Sequence, residues 1–201
     1  MIKVAITGGI GSGKSTLCRA FEEAGIPVYY SDTQARQLME LNEELKSVIT
    51  KEFSAMSYTP EGELNREWLA SEVFNNAERL EALNALVHPA VVADFERWAM
   101  QQTSHPYVIV ETAILFESGL DKGVDIKVAV LAPEELRLQR VVMRDGSNAQ
   151  QVRSRMAAQL SDEELNQRCD YCVVNIIEGE MDDAAQRLDQ IFKHEASKVR
   201  S

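Results

Sequence analysis

Gly8-Gly9-Ile10-Gly11-Ser12-Gly13-Lys14-Ser15 is the stretch whose reading decides the fold. It has the form G-x-x-x-x-G-K-[ST] and lies between an apolar run, residues 3–7, and an amphipathic run, residues 14–24. A strand that ends in glycines and reopens as a helix is the setting a phosphate-binding loop requires. The glycines let consecutive backbone N–H groups turn toward one anion. The start of the following helix adds the positive end of its dipole. Lys14 is spaced to reach the β and γ phosphates of a nucleoside triphosphate, and the Ser15 hydroxyl to ligate Mg²⁺. Thr16, next in line, is either one more phosphate contact or an ordinary helix residue.

Outward from the loop, the apolar and β-branched runs at 27–30, 107–111, 126–131 and 172–177 read as further strands. Helical patterns separate them, and such alternation implies an α/β fold with a parallel sheet and crossover helices. Ser31, with Gln34 three residues on, has the spacing of a helix capping box. Residues 33–102 break the rhythm. They hold helical patterns at 43–53, 66–74, 77–86 and 90–101 but no convincing strand, too much chain for one crossover. The expected division is therefore a nucleotide-binding core of residues 1–32, 103–133 and 161–201, a helical acceptor-binding region at 33–102, and a lid at 134–160. An amphipathic helix from Met181, with a charged and frayed tail, should close the chain.

Composition narrows the function. The 201 residues are 45% hydrophobic and 26% charged, the mix of a globular protein, and the net charge is −11. So acidic a surface does not suit nucleic acid or an anionic membrane, so no partner of either kind is expected. No run approaches the length of a membrane span, and the first residues lack a signal-peptide layout, so the expected location is the cytoplasm. The three cysteines fit a reducing compartment, and Cys169-x-x-Cys172 has no further ligands near it to complete a zinc site. The sequence leaves oligomeric state open.

A phosphate loop does not name the acceptor. Asn-Lys-x-Asp, the guanine-reading signature, is missing, and the chain is short for a motor. A kinase for a small metabolite fits the length and the helical region. Ligands of open parallel sheets bind at the carboxyl ends of the strands. Asp32, just past the second strand, is there to take or orient the proton of an attacking hydroxyl, or else to serve as a favourable charge in a first helical turn. Arg36 is one turn further along and is an ion-pair partner or a substrate anchor. Glu111 ends an apolar strand and can hold Mg²⁺ through water or be a plain strand-end carboxylate.

Residues 136–160 carry five arginines and one aspartate, a local charge of +4. Arg137, Arg140 and Arg144 recur at helical spacing, as a mobile lid that brings guanidinium groups onto ATP would have them. The alternative is a solvated basic face. His88-Pro89 sits between two helical patterns as ordinary punctuation.

Taken together, these residues resemble the dephospho-CoA kinases. The resemblance is carried in order by the phosphate loop, Ser31-Asp32-x-x-x-Arg36, Leu86-Val87-His88-Pro89, Ile114-Leu115-Phe116-Glu117, Arg140-x-x-x-Arg144-Asp145, Arg155-Met156-Ala157-Ala158-Gln159 and Asp170-Tyr171 to Asn175. The departures are Ala113 in place of the usual proline, Glu111 for the commoner aspartate, and Ile176-Ile177-Glu178-Gly179 after Asn175. The resemblance implies a P-loop NTPase fold of three layers, with a helical substrate-binding insertion and an arginine-rich lid. It implies transfer of the γ-phosphoryl of ATP to the 3′-hydroxyl of dephospho-CoA, the last step of coenzyme A synthesis, with Mg²⁺. On this reading Asp32, Lys14 and Arg140 carry catalysis. Gly9, Ile10, Gly11, Ser12, Gly13, Lys14, Ser15, Thr16, Arg140, Arg144 and Asn175 hold ATP. Asp32, Arg36, His88, Leu115 and Glu117 meet the acceptor, and Ser15 and Glu111 serve the metal. A kinase for another acceptor, such as a nucleoside monophosphate, and a slowly hydrolysing ATP-binding regulator are the alternatives.

Overall fold

The structure, a computed structural model, describes the chain except for Asn75, Glu178, Ser201 and the side chain of Arg200. Its strands are β1 (Ile2–Thr7), β2 (Val28–Tyr30), β3 (Tyr107–Glu111), β4 (Ile126–Leu131) and β5 (Tyr171–Val174). Its helices are α1 (Lys14–Glu23), α2 (Ser31–Leu41), α3 (Glu43–Glu52), α4 (Arg66–Val73), α5 (Ala77–Gln101), α6 (Glu134–Asp145), α7 (Ala149–Ala157), α8 (Asp162–Arg168) and α9 (Glu180–Arg200). Among the described residues the strands form one parallel sheet in the order β2-β3-β1-β4-β5. The chain divides into two compact units, one of Met1–Tyr30 and Trp98–Ser201, the other of Ser31–Arg97.

The first unit is built on the sheet. Its central strands are apolar on both faces, so they read as continuous hydrophobic runs rather than alternating ones. Ile2, Val4 and Ile6 of β1 point to one side with Tyr107 and Ile109 of β3 and Val128 and Val130 of β4. There they meet Leu17 and Phe21 of α1 and Leu188 and Phe192 of α9. Phe192 lies 5.2 Å from the Tyr107 ring and 5.9 Å from that of Phe21, centre to centre. On the opposite side Tyr29 packs on Trp98 at 5.3 Å, and α8 lies along β4. The sheet is thus the middle of three layers.

Phe192 is wholly buried in this aromatic cluster. Phe192→Ala should cost about 3–5 kcal/mol, the transfer term plus an unfilled cavity. A fall of about 10 °C or more in the thermal midpoint checks it.

Among its described residues the second unit is mostly helical, with one isolated bridge between Tyr58 and Leu64 in the chain that precedes α4. Asn42 and Asn65 cap α3 and α4 by accepting from the N–H groups of Leu45 and Trp68. Arg79 lies over the Phe53 ring at 4.2 Å and reaches Glu72, tying α5 to α3 and α4.

Several local expectations change. His88-Pro89 does not separate two helices; both residues lie inside the 25-residue α5. Proline removes one helix hydrogen bond, but the flanking turns keep helical spacing and pack Val87 and Val91 in the interior. Ser31 is the first residue of α2 and is buried, rather than an outlying cap. β5 stops at Val174, where the extended reading ran to 177, and Ile176 and Ile177 lie exposed beyond it. α9 runs from Glu180 to Arg200, beginning one residue before the expected Met181.

Candidate active site

The carboxyl ends of β1 and β3 and the amino end of α1 converge in the first unit. Lys14 opens α1 and is only 7% exposed. Its ammonium donates to the carbonyls of Gly8 at 2.8 Å and Gly9 at 3.3 Å, and lies 3.9 Å from Glu111 Oε1. The loop is thus wrapped around its own cation. Ser15 and Thr16, in the first turn of α1, are exposed. The hydroxyls of Thr7 and Ser12 are buried without a hydrogen-bond partner among the described residues.

Asn175, just past β5, fixes the far side of the loop. Its amide Nδ2 donates to Ser12 O at 2.8 Å, while its own backbone N–H donates to Leu131 O. Gly13 has a φ of 102°, and a Cβ there would land on Asn175 Nδ2, so both conformation and space demand glycine. Arg140, from α6, donates to the Asn175 carbonyl at 3.2 Å and lies 3.5 Å from its Oδ1. A chain of polar contacts therefore runs from α6 through Asn175 to the phosphate loop.

The three arginines of α6 do not form one solvated face. Arg137 is buried, Arg140 is turned onto Asn175, and Arg144 is exposed and paired with Asp145 at 2.7 Å. That pairing holds the Asp145 carboxyl below its ordinary range. Arg153 pairs with Glu134 and Glu135. Sequence named Arg137 only as one of three lid arginines and did not single out Gln159, yet both touch the loop. A Cβ on Gly9 would collide with Arg137 Nη1, and Gln159 Oε1 accepts from Ile10 N–H at 2.8 Å. The signal for Arg137 was its place beside Leu138 and one turn before Val141, on the buried face of α6.

Of the other sequence candidates, Leu115 is fully buried. Glu117, two residues on, is exposed. Asp32 and Arg36 are exposed on the first turns of α2, and His88 is half-buried in α5; all three belong to the second unit. What the first unit brings together is the phosphate loop with Lys14, Glu111, Arg140 and Asn175. Ile176 and Ile177 follow Asn175 on the surface, while Glu178 of that segment lies outside the described residues.

Hard oxygen donors suit Mg²⁺, and the Ser15 hydroxyl and Glu111 carboxylate are of that kind. Among the described residues, no group of three or more His, Cys, Asp or Glu could hold a metal. Cys169 is half-buried with its thiol pushed up to about 12, mainly by burial. The exposed Cys172 thiol is also raised, so neither is primed as a thiolate.

A parallel sheet in this strand order, with a glycine loop folded on a buried lysine at the end of β1, defines a P-loop phosphotransferase fold. The family profile of dephospho-CoA kinase matches residues 2–182. A dephospho-CoA kinase of Salinibacter ruber is 42% identical over 195 residues, 96% of each chain. A crystal structure from Thermus thermophilus is 34% identical and superposes with a TM-score of 0.78, covering 94% of this chain and 96% of that one. A dephospho-CoA kinase structure from Campylobacter jejuni, 23% identical, shares the fold with a TM-score of 0.71 over 96% and 97% of the two chains. The chain belongs to the dephospho-CoA kinase family. Among the described residues, no helix is long and apolar enough to cross a membrane.

Proposed function

We propose that the protein transfers the γ-phosphoryl group of ATP to the 3′-hydroxyl of dephospho-CoA, giving coenzyme A and ADP. The observation that carries this reading is the buried Lys14 ammonium, folded into the phosphate loop beside Glu111, in a chain of this family. The hydroxyl oxygen forms a bond to γ-phosphorus as the bond to the β–γ bridging oxygen breaks, and the electron pair leaves on ADP. The hydroxyl proton passes to the Asp32 carboxylate, which also orients the attack. Lys14 follows the charge that develops on the transferred group, and Arg140 adds a second cation from α6.

The loop residues 9–16 bind the phosphates through backbone N–H groups, and Arg140, Arg144 and Asn175 complete the ATP site. Ser15 and Glu111 would hold Mg²⁺, Glu111 through water. When bound, the ion neutralises charge on the β and γ oxygens. Arg36, His88 and Glu117 are the proposed acceptor contacts. The unit formed by Ser31–Arg97 is the acceptor-binding region, and residues 134–160 are the lid. The cytoplasm is the proposed site of action, with no nucleic-acid or membrane partner.

Coupled ADP release, measured with and without dephospho-CoA, tests the reading. Turnover should require the acceptor. Equal ADP release without it would replace the kinase by a hydrolysing regulator, and turnover with a nucleoside monophosphate alone would change the acceptor.

Arg140→Ala should lower kcat by about tenfold to a hundredfold, as loss of one charge-assisted donor to the transition state does. Stability should fall by only about 1 kcal/mol, since two hydrogen bonds to Asn175 are lost at a half-exposed position. A variant that melts far below wild type but keeps its kcat would make Arg140 a structural residue.

A further inference from the structure

Arg137 occupies the first turn of α6 and is only 8% exposed. Its Nη1 lies against the backbone of Gly9. Its Nη2 is 3.5 Å from Asp162 Oδ1, an ion pair between α6 and the first turn of α8. The compensation is incomplete. Arg137 Nε and Asp162 Oδ1 are both buried without a hydrogen-bond partner among the described residues. A buried polar group left unsatisfied costs about 1–3 kcal/mol, and more when charged. A long ion pair of this kind does not offset the desolvation of a guanidinium. Beside it opens a cavity of about 460 Å³ lined by Arg137, Arg153, Met156, Gln159, Ser161 and Asp162.

What sets this arginine apart is its shared neighbour. Lys14 Nζ donates to the carbonyl of Gly9, and Arg137 Nη1 touches the same residue. In a phosphate loop the lysine marks where the β and γ phosphates lie. Guanidinium is the donor best matched to phosphoryl oxygens, and it stays charged when buried. Gln159 Oε1 meanwhile occupies the N–H of Ile10, the next loop residue, so this corner presents two donors and a side-chain oxygen that stands where an anion would be welcome.

We propose that Arg137 is a second loop-side cation for the transferred phosphoryl group, held in place by Asp162 and fully satisfied only when ATP supplies the missing acceptor. The proposal rests on the loop being the ATP site. No bond forms to Arg137; it contributes charge and orientation to a transition state that spreads negative charge over the phosphoryl oxygens.

The test compares Arg137→Lys, which keeps the charge, with Arg137→Gln, which removes it, in the full-length enzyme. Steady-state kinetics with ATP and dephospho-CoA are read beside ADP affinity by calorimetry. Arg137→Gln should lower kcat by about tenfold to a hundredfold, with ADP affinity within about threefold of wild type, because ADP lacks the transferred group. Arg137→Lys should retain most of the kcat. Equal kcat in the two variants, whether both high or both low, overturns the proposal, as does an equal loss of ADP affinity and kcat. Asp162→Asn supplies an independent variant should Arg137→Gln not fold. It removes the carboxylate that holds the guanidinium against the loop, so kcat should fall severalfold with ADP affinity within about threefold of wild type, and an unchanged kcat overturns the proposal. Lys14→Ala is the control for the underlying reading. If it too keeps full turnover, the loop is not the ATP site, and the failure lies there rather than with Arg137.

Discussion

Lys14→Ala is expected to lower kcat by at least about 10³-fold, some 4 kcal/mol of transition-state stabilisation. The size follows from where the amine sits. At 7% exposure it acts in a medium of low effective dielectric, where one charge near a developing anion is worth far more than in water. Its bonds to the Gly8 and Gly9 carbonyls fix its position before ATP arrives, so little reorganisation is needed during reaction. The loop backbone would still bind ADP, so affinity should suffer less than turnover. Glu111 is a complication, because its carboxylate lies 3.9 Å from the amine and loses a counter-charge. Lys14→Met separates the two effects: it keeps the stem and excludes water better, so the loss of turnover should match that of alanine while the thermal midpoint drops less. A variant of either kind with more than about a tenth of wild-type turnover contradicts the assignment, since that is only about 1.4 kcal/mol.

The loop was legible in the sequence because its logic is local. Gly8 to Ser15 encode their own turn, and the strand before and helix after them follow from short-range pattern. The class of fold was legible for the same reason, strand by strand. The order β2-β3-β1-β4-β5 is a long-range property that periodicity does not carry. Pro89 misled because proline ordinarily bounds a helix, whereas the packing of Val87 and Val91 on either side keeps α5 continuous. Spacing tells which residues share a helical face, not which face is buried. Arg137 was read with Arg140 and Arg144 as one basic stripe, and only the fold shows that it alone of the three is buried, with Nη1 against Gly9.

Asp32→Asn separates chemistry from helix electrostatics at the acceptor side. Asn has nearly the shape of Asp but no charge and no use as a proton acceptor. Asp32 is exposed in the first turn of α2, two residues beyond Tyr30, whose register partner in β3 is Glu111. A carboxylate in a first helical turn contributes about 0.3–1 kcal/mol by opposing the dipole. If that were its whole role, the substitution would cost this much stability and leave turnover alone. As the group that takes and orients the hydroxyl proton, it should cost about 10²–10⁴ in kcat. Phosphoryl transfer passes through a loose transition state in which the nucleophile is barely deprotonated, so orientation matters more than proton removal and the expected fall is near 10². ATP affinity should hold or tighten slightly, because the phosphates are gripped by the loop and Lys14 while one negative charge is removed. The measurement is kcat at saturating dephospho-CoA together with ATP affinity by calorimetry. A variant within about threefold of wild-type kcat, under 1 kcal/mol of barrier, would leave Asp32 a helix-end charge and require another carboxylate for the hydroxyl.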